Sequence, residues 1–254
     1  MQEIEQLRAL GDATRAARMA ARHKRDRETL GIAPAELEPL VAGWRAAMDA
    51  PARVDLARAL WDSDIHEARI AAAKLLLQAR MRPDDGAWAA ILDWAPALDA
   101  LDIADAVAAA GQRRLAADPA RIEDLAGFVT AANPLQRRLA LGVTQAWARM
   151  NHPRPADIAI RERALDWAAV LHHDGNGAVR QAVAAWLSDL ARHDADRAAA
   201  WQPAELAADA PADLPAELPV DTPADMPAEP HAEPHAEPPA DMPDGDTGAD
   251  QDPR

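Results

Sequence analysis

The 254-residue chain has no cysteine, no tyrosine and a single phenylalanine. Without cysteine there can be no disulfide, no thiolate nucleophile and no Cys-ligated zinc. Few β-branched and aromatic residues outside eight tryptophans leave little strand potential. No window holds 18 apolar residues without a charge, so no membrane span is expected. The opening stretch, MQEIEQLRALGDATRAARMAA, is charged throughout and lacks the apolar core of a secretory signal. The cytoplasm is the expected location.

Positive charge is scarce at one end only. Residues 201–254 hold one Arg against 14 acids, whereas residues 1–200 hold 26 Lys and Arg against 28 Asp and Glu. The formal charge of −15 is therefore mostly a property of the C-terminal segment. The rest of the chain is free to carry a basic face and a nucleic-acid partner.

Residues 1–208 are rich in Ala, Leu and Arg, all strong helix formers. Apolar positions recur every three or four residues, as in RVDLARALW and ARIAAAKLLLQAR. Pro34, Pro51, Pro83, Pro96, Pro119 and Pro134 mark helix starts, with Asn133-Pro134 reading as a cap followed by proline. Asp62, Ser63 and Asp64 are expected to cap a helix over about 65–80, and Asp99 is a candidate cap for the helix that follows it. About ten helices result, in pairs that recur every 35–40 residues. That spacing predicts an all-α, HEAT-like helical repeat solenoid, with a compact orthogonal bundle as the alternative. From 209 to 254 proline returns about every four residues among acids and alanines. This segment is expected to be a disordered acidic tail. Its His231 and His235 could touch a metal weakly, but bland tail composition is the better explanation of both.

Four charged segments are candidates for chemistry. Arg22 to Arg27 includes Lys24 and Arg25, which can reach a phosphate from a helix end or simply face solvent. Around His66, the pattern departs from a zinc HExxH motif because Ile70 stands where the second His is needed. Glu67 and Arg69 are therefore expected to brace turns and Trp61 to pack between helices. The segment 99–105 places Asp102 and Asp105 three residues apart inside an apolar helix, and a carboxylate there needs a partner. Arg137 and Arg138 point about 100° apart, with Arg138 the inward candidate for pairing Asp105, binding phosphate, or both. Arg113, Arg114, Arg161, Arg163, Arg180 and Arg192 can extend a basic stripe or be ordinary surface charge.

Five segments occur in the order seen in one known family: HKRDRETLGI, LWDSDIHEARIAAAKLLL, WAPALDALDIADAV, NPLQRRLAL and AVRQAVAAWLSDLAR. Together they resemble the bacterial DNA alkylation repair (AlkD-like) proteins. The resemblance implies a stack of HEAT-like repeats with a basic concave face. It also implies excision of N3- and N7-alkylated purines from double-stranded DNA by hydrolysis of the N-glycosidic bond. It places the catalytic aspartate on Asp105 and the phosphate-holding arginine on Arg138. Arg137, Lys24, Arg25, Arg113, Arg114 and Arg180 are the further candidate DNA contacts. No metal or other cofactor is implied, and a monomer is the default. The two pocket tryptophans of the family fall on Leu101 and Ala185. Trp186 beside the latter points about 100° away, toward the core. A glycosylase, a non-catalytic DNA-binding protein and a protein-interaction scaffold remain open. Asp105 opening into a groove beside Arg138 would favour the first.

Overall fold

The computed structural model describes residues 1–23 and 26–201. The chain divides into two units, Met1–Asp209 and Ala210–Arg254, and every element described belongs to the first. The expected tail, with His231 and His235, lies outside the described residues, as do Lys24 and Arg25.

Eleven α-helices and two 3-10 segments follow one another, with no strand among the described residues. They are α1 (Gln2–Ala9), α2 (Ala13–His23), α3 (Pro34–Ala47), α4 (Ala50–Asp62), α5 (His66–Leu75) and α6 (Asp85–Trp94). A short 3-10 turn, Ala95–Ala97, leads into α7 (Leu101–Ala117). A 3-10 segment, Pro119–Thr130, precedes α8 (Pro134–Ala148), α9 (Pro155–Leu171), α10 (Gly177–His193) and α11 (Ala195–Trp201). Proline occupies a first-turn position in α3, α4, α8 and α9, where its missing N–H costs nothing. Asn133 accepts from Leu135 N at 2.9 Å and Asn176 from Ala178 N at 2.9 Å, satisfying donors that the helix itself leaves open.

Two expected caps are used differently. The cap of α5 is Ile65, which makes no side-chain capping bond. Asp64 instead adopts φ +54 and turns its carboxylate to Arg27 at 2.7 Å and Arg69 at 2.8 Å. Asp99 does not cap α7, whose cap is Ala100. It binds Arg27 through both oxygens at 2.7 and 2.6 Å. Guanidinium–carboxylate pairing outcompetes capping at both places, through two arginines on one oxygen at Asp64 and a bidentate pair at Asp99, because charge-assisted bonds are stronger than one bond to a neutral N–H.

The helices α5, α7, α8 and α10 lie side by side, and α4, α6, the 119–130 segment and α9 pack behind them. The repeat is visible in the side-chain contacts. His66 meets Asp102, 36 residues on, and Trp88 Nε1 donates to Asp124, 36 on. Arg137 binds Asp174, 37 on, and Trp201 Nε1 donates to Leu165 O, 36 back. Each helix pair is thus tied to an equivalent place in the next, which is the nearest-neighbour logic of a repeat array.

Small residues let the front helices approach closely. A Cβ added at Gly142 of α8 would lie 2.9 Å from the Cβ of Ala108 on α7, inside contact distance. Within the back layer, Trp61 of α4 stacks on Trp94 of α6 with centroids 4.5 Å apart, and the Arg69 guanidinium of α5 sits 4.7 Å over the Trp61 ring. Fully buried Leu60, Leu75, Ile91, Ile103 and Leu115 fill the rest, each contributing about 1.5–3 kcal/mol by leaving water. Trp186 is fully buried, in agreement with its expected core position.

Buried charge is paired. Arg114 is inaccessible and binds Asp84 at 3.1 Å and the Gln78 carbonyl. Arg121 grips Asp84 at 2.9 and 3.0 Å. The hydrogen bond from Arg121 holds the Asp84 carboxyl below its ordinary value, with burial opposing. A depressed folded-state value means the stabilisation is complete above the unfolded value of 3.8 and is lost as pH falls through the folded value. The stabilising contribution of Asp84 is therefore present at neutral pH and is lost only as pH falls below the unfolded value of 3.8. Asp84→Asn is expected to lower the neutral-pH stability and flatten the acid limb, read by denaturant melts across pH 2–7.

Candidate active site

Asp105 lies in the second turn of α7 and Arg138 in the first turns of α8. Arg138 donates twice to the same oxygen of Asp105, from Nη2 at 2.9 Å and Nε at 3.3 Å. Its Nη1 donates to the Ala178 carbonyl of α10 at 2.9 Å. One guanidinium thus ties three adjacent front helices together. The Asp105 side chain is 59% exposed and that of Arg138 19%. Both Arg138 bonds to Asp105 go to Oδ1, which leaves Oδ2 without a hydrogen bond among the described residues.

The pair sits in a cleft of about 210 Å³ between α7, α8 and α10. Its walls are mostly small, including Ala104, Ala108, Gly142, Ala182 and Ala185. Three polar side chains extend it along the helices: Gln112, Gln145 and Arg149. Gln112 Nε2 donates to the Gly142 carbonyl at 2.9 Å. Gln145 and Arg149 each donate to Asp189 Oδ2 at 2.6 Å. Burial alone would lift the Asp189 carboxyl; the hydrogen bonds from Arg149 and Gln145 outweigh it and hold the group below its ordinary value. Sequence reading missed these three cleft residues. The available signal was helical spacing, since Gln112 follows Asp105 by seven residues and Gln145 and Arg149 follow Arg138 by seven and eleven.

The residues singled out in sequence divide sharply. Asp105 and Arg138 are brought together. Leu101, 45% exposed, lies one turn before Asp105 on α7, and Ala185 lines the opposite wall. Asp102 turns toward α5, where it meets His66 at 2.8 Å, so the two carboxylates serve different neighbours. Arg180 is exposed at the start of α10, with one bond to the Asp174 carbonyl. Arg113 is exposed in the second-last turn of the cleft-bearing helix α7.

Several expected contacts require correction. Arg114 cannot reach a phosphate, because its side chain is buried against Asp84. Arg137 braces the fold: it grips Asp174 at 2.6 and 2.9 Å and donates to the carbonyls of Ala131 and Ala132. Arg161 is buried on Asp194, Arg163 pairs with Glu123, and Arg192 with Asp189. The run of arginines at helix-pair spacing therefore does not assemble into one stripe. Intramolecular pairing has used much of it. Among the described residues no group of His, Asp and Glu is arranged to hold a metal ion, and no helix is long and apolar enough to cross a membrane.

Stacked helix pairs with a carboxylate–guanidinium pair opening into a cleft define an all-helical repeat protein with an accessible acid on its front layer. The family model described as DNA alkylation repair enzyme matches residues 4–205, and the chain belongs to that family. Among solved structures it is similar to the predicted DNA alkylation repair enzyme from Enterococcus faecalis, at 16% identity and a TM-score of 0.63. The match covers 76% of this chain and 88% of that one, and at this identity it speaks for the fold. A search of curated proteins gives no match.

Proposed function

We propose that the chain is a monofunctional DNA glycosylase, acting as a cytoplasmic monomer on HEAT-like repeats. It hydrolyses the N-glycosidic bond of N3- or N7-alkylated purines in double-stranded DNA. The observation that carries this reading is the exposed Asp105 carboxylate lining an open cleft, its Oδ1 anchored by Arg138 and its Oδ2 without a hydrogen bond among the described residues.

The chemistry suits a single carboxylate. Alkylation at N3 or N7 puts positive charge on the base. When the C1′–N bond breaks, its electron pair returns to the base, which leaves neutral and needs no general acid. Positive charge develops instead on the deoxyribose. A preorganised carboxylate stabilises that charge more in the transition state than in the ground state. Water then adds at C1′ and gives up a proton, for which Asp105 Oδ2 is the available acceptor. Arg138 positions the carboxylate and holds the adjacent phosphate with its remaining N–H groups.

Leu101 and Ala185 favour a slow enzyme, or a second reading in which the chain binds DNA without cleaving it. Aromatic rings at these positions would contribute about 1–2 kcal/mol each by stacking or cation–π contact. The test is release of free 7-methylguanine and 3-methyladenine from methylated duplex DNA. Release above the spontaneous rate is expected. Binding of the duplex with release no faster than spontaneous supports the second reading instead.

A further inference from the structure

A second cleft, of about 600 Å³, opens at the other end of α7. It lies between Ala116 and Ala117 at the end of that helix and the loop from α5 to α6 that carries Arg80 and Arg82. Arg113 precedes Ala116 and Ala117 by three and four residues, so it stands on the same flank of α7. Arg80, Arg82 and Arg113 are all exposed, and none has an ion pair or side-chain hydrogen bond among the described residues.

The local charge explains why they are unpaired. Asp84, Asp85 and Asp118 are the acids of this cleft, and all three are engaged by Arg121, with Arg114 adding a second contact to Asp84. The two arginines at the base thus use the acids, and three arginines at the rim remain. In a chain of formal charge −15, that is a local positive surplus.

The two clefts share one helix face. Ala116 follows Asp105 by eleven residues, close to three full turns, and therefore lies on the same stripe as Asp105 and Gln112. Asp105 and Arg113 are separated by about 12 Å along the axis, comparable to the roughly 12 Å width of the major groove. A duplex engaged at Asp105 on one strand would bring phosphates of the other strand within reach of the rim.

We propose that Arg80, Arg82 and Arg113 form a phosphate-backbone contact site for duplex DNA, distinct from the Asp105 cleft and used for positioning. The proposal rests on the reading of the chain as a DNA-binding enzyme. The partner is the sugar–phosphate backbone, so the contact is independent of base sequence and of the lesion.

The experiment measures Kd for an undamaged, fluorescein-labelled 20-bp duplex against salt concentration, for the full chain and for Arg80→Gln/Arg82→Gln/Arg113→Gln. Because the three side chains are exposed and unpaired, the variant is expected to melt with the wild type, which a thermal scan checks. Its Kd should rise at least about tenfold at low salt, and the slope of log K against log salt should fall in magnitude by about 2–3. Single variants should each remove about 1 from the slope. An unchanged Kd and slope in the triple variant, with the wild type binding the duplex, overturns this proposal alone. Failure of the wild type to bind any duplex overturns it together with the DNA reading. Loss of binding in the triple variant by a protein that releases no methylated base keeps the contact site and rejects the glycosylase.

Discussion

Asp105→Asn lowers the rate of alkylated-base release by about 10²–10³-fold, the usual consequence of removing one preorganised group from a charged transition state. The amide is nearly isosteric and its oxygen can still accept from Arg138 at the Oδ1 position. What disappears is the negative charge opposite the developing positive charge on the sugar, and with it the proton acceptor for the attacking water. Fold and binding should survive. The side chain is 59% exposed, and an ion pair so placed is worth only about 0–1 kcal/mol. Duplex affinity is expected to hold or tighten slightly, because a negative charge near the phosphates is removed. Single-turnover rates with enzyme in excess, beside equilibrium binding of the same duplex, separate the two effects. A variant that releases base at the wild-type rate would move the chemistry elsewhere.

Glu67→Ala destabilises the protein by about 3–5 kcal/mol, without any part in the chemistry. Glu67 is 1% exposed. Its carboxylate accepts from three successive backbone N–H groups, Leu30 at 2.8 Å, Gly31 at 2.6 Å and Ile32 at 3.3 Å. Gly31 has φ +74, and a Cβ there would lie 2.4 Å from both Ala16 N and Asp12 O. The turn between α2 and α3 is thus built around one side chain from α5. Alanine leaves three buried donors unsatisfied, each costing about 1–3 kcal/mol, less what water recovers by entering. Glu67→Gln, which keeps one acceptor oxygen, should cost roughly half as much. Urea melts read both. A wild-type midpoint for the alanine variant would show that the turn stands without its carboxylate.

The legible part of the fold was its rhythm. Apolar spacing and the prolines gave the helices, and pairs every 35–40 residues gave a period that reappears in contacts such as Trp88–Asp124 and Arg137–Asp174. Pro119 correctly signals a start, but the element that follows is a long 3-10 segment. Local propensity separates α from 3-10 winding poorly, since both share the first-turn preferences. The site was half legible. The pairing of Asp105 with Arg138, 33 residues apart, was one alternative for an inward arginine, and only the resemblance to a known family set both residues in one site, because nothing local to either residue specifies the other. Arg114 and Arg113 are adjacent in sequence and identical in kind, yet one is buried on Asp84 and the other exposed. Only the direction each takes from α7 distinguishes them, and that depends on where α6 and the 119–130 segment pack. Asp64 and Asp99 look like caps for the same reason: their arginine partner, Arg27, lies 37 and 72 residues away.

Whether the Asp105 carboxylate drives loss of an alkylated purine can be read from a duplex carrying one 7-methylguanine. Excess wild-type protein and excess Asp105→Asn would be incubated with it, and free base quantified over time against a protein-free control. Release above the control is expected for the wild type and a fall of about 10²–10³-fold, toward the control rate, for the variant, with both proteins still bound to the duplex. Equal release by the two proteins, or none by the wild type while it remains bound, would contradict this role of Asp105.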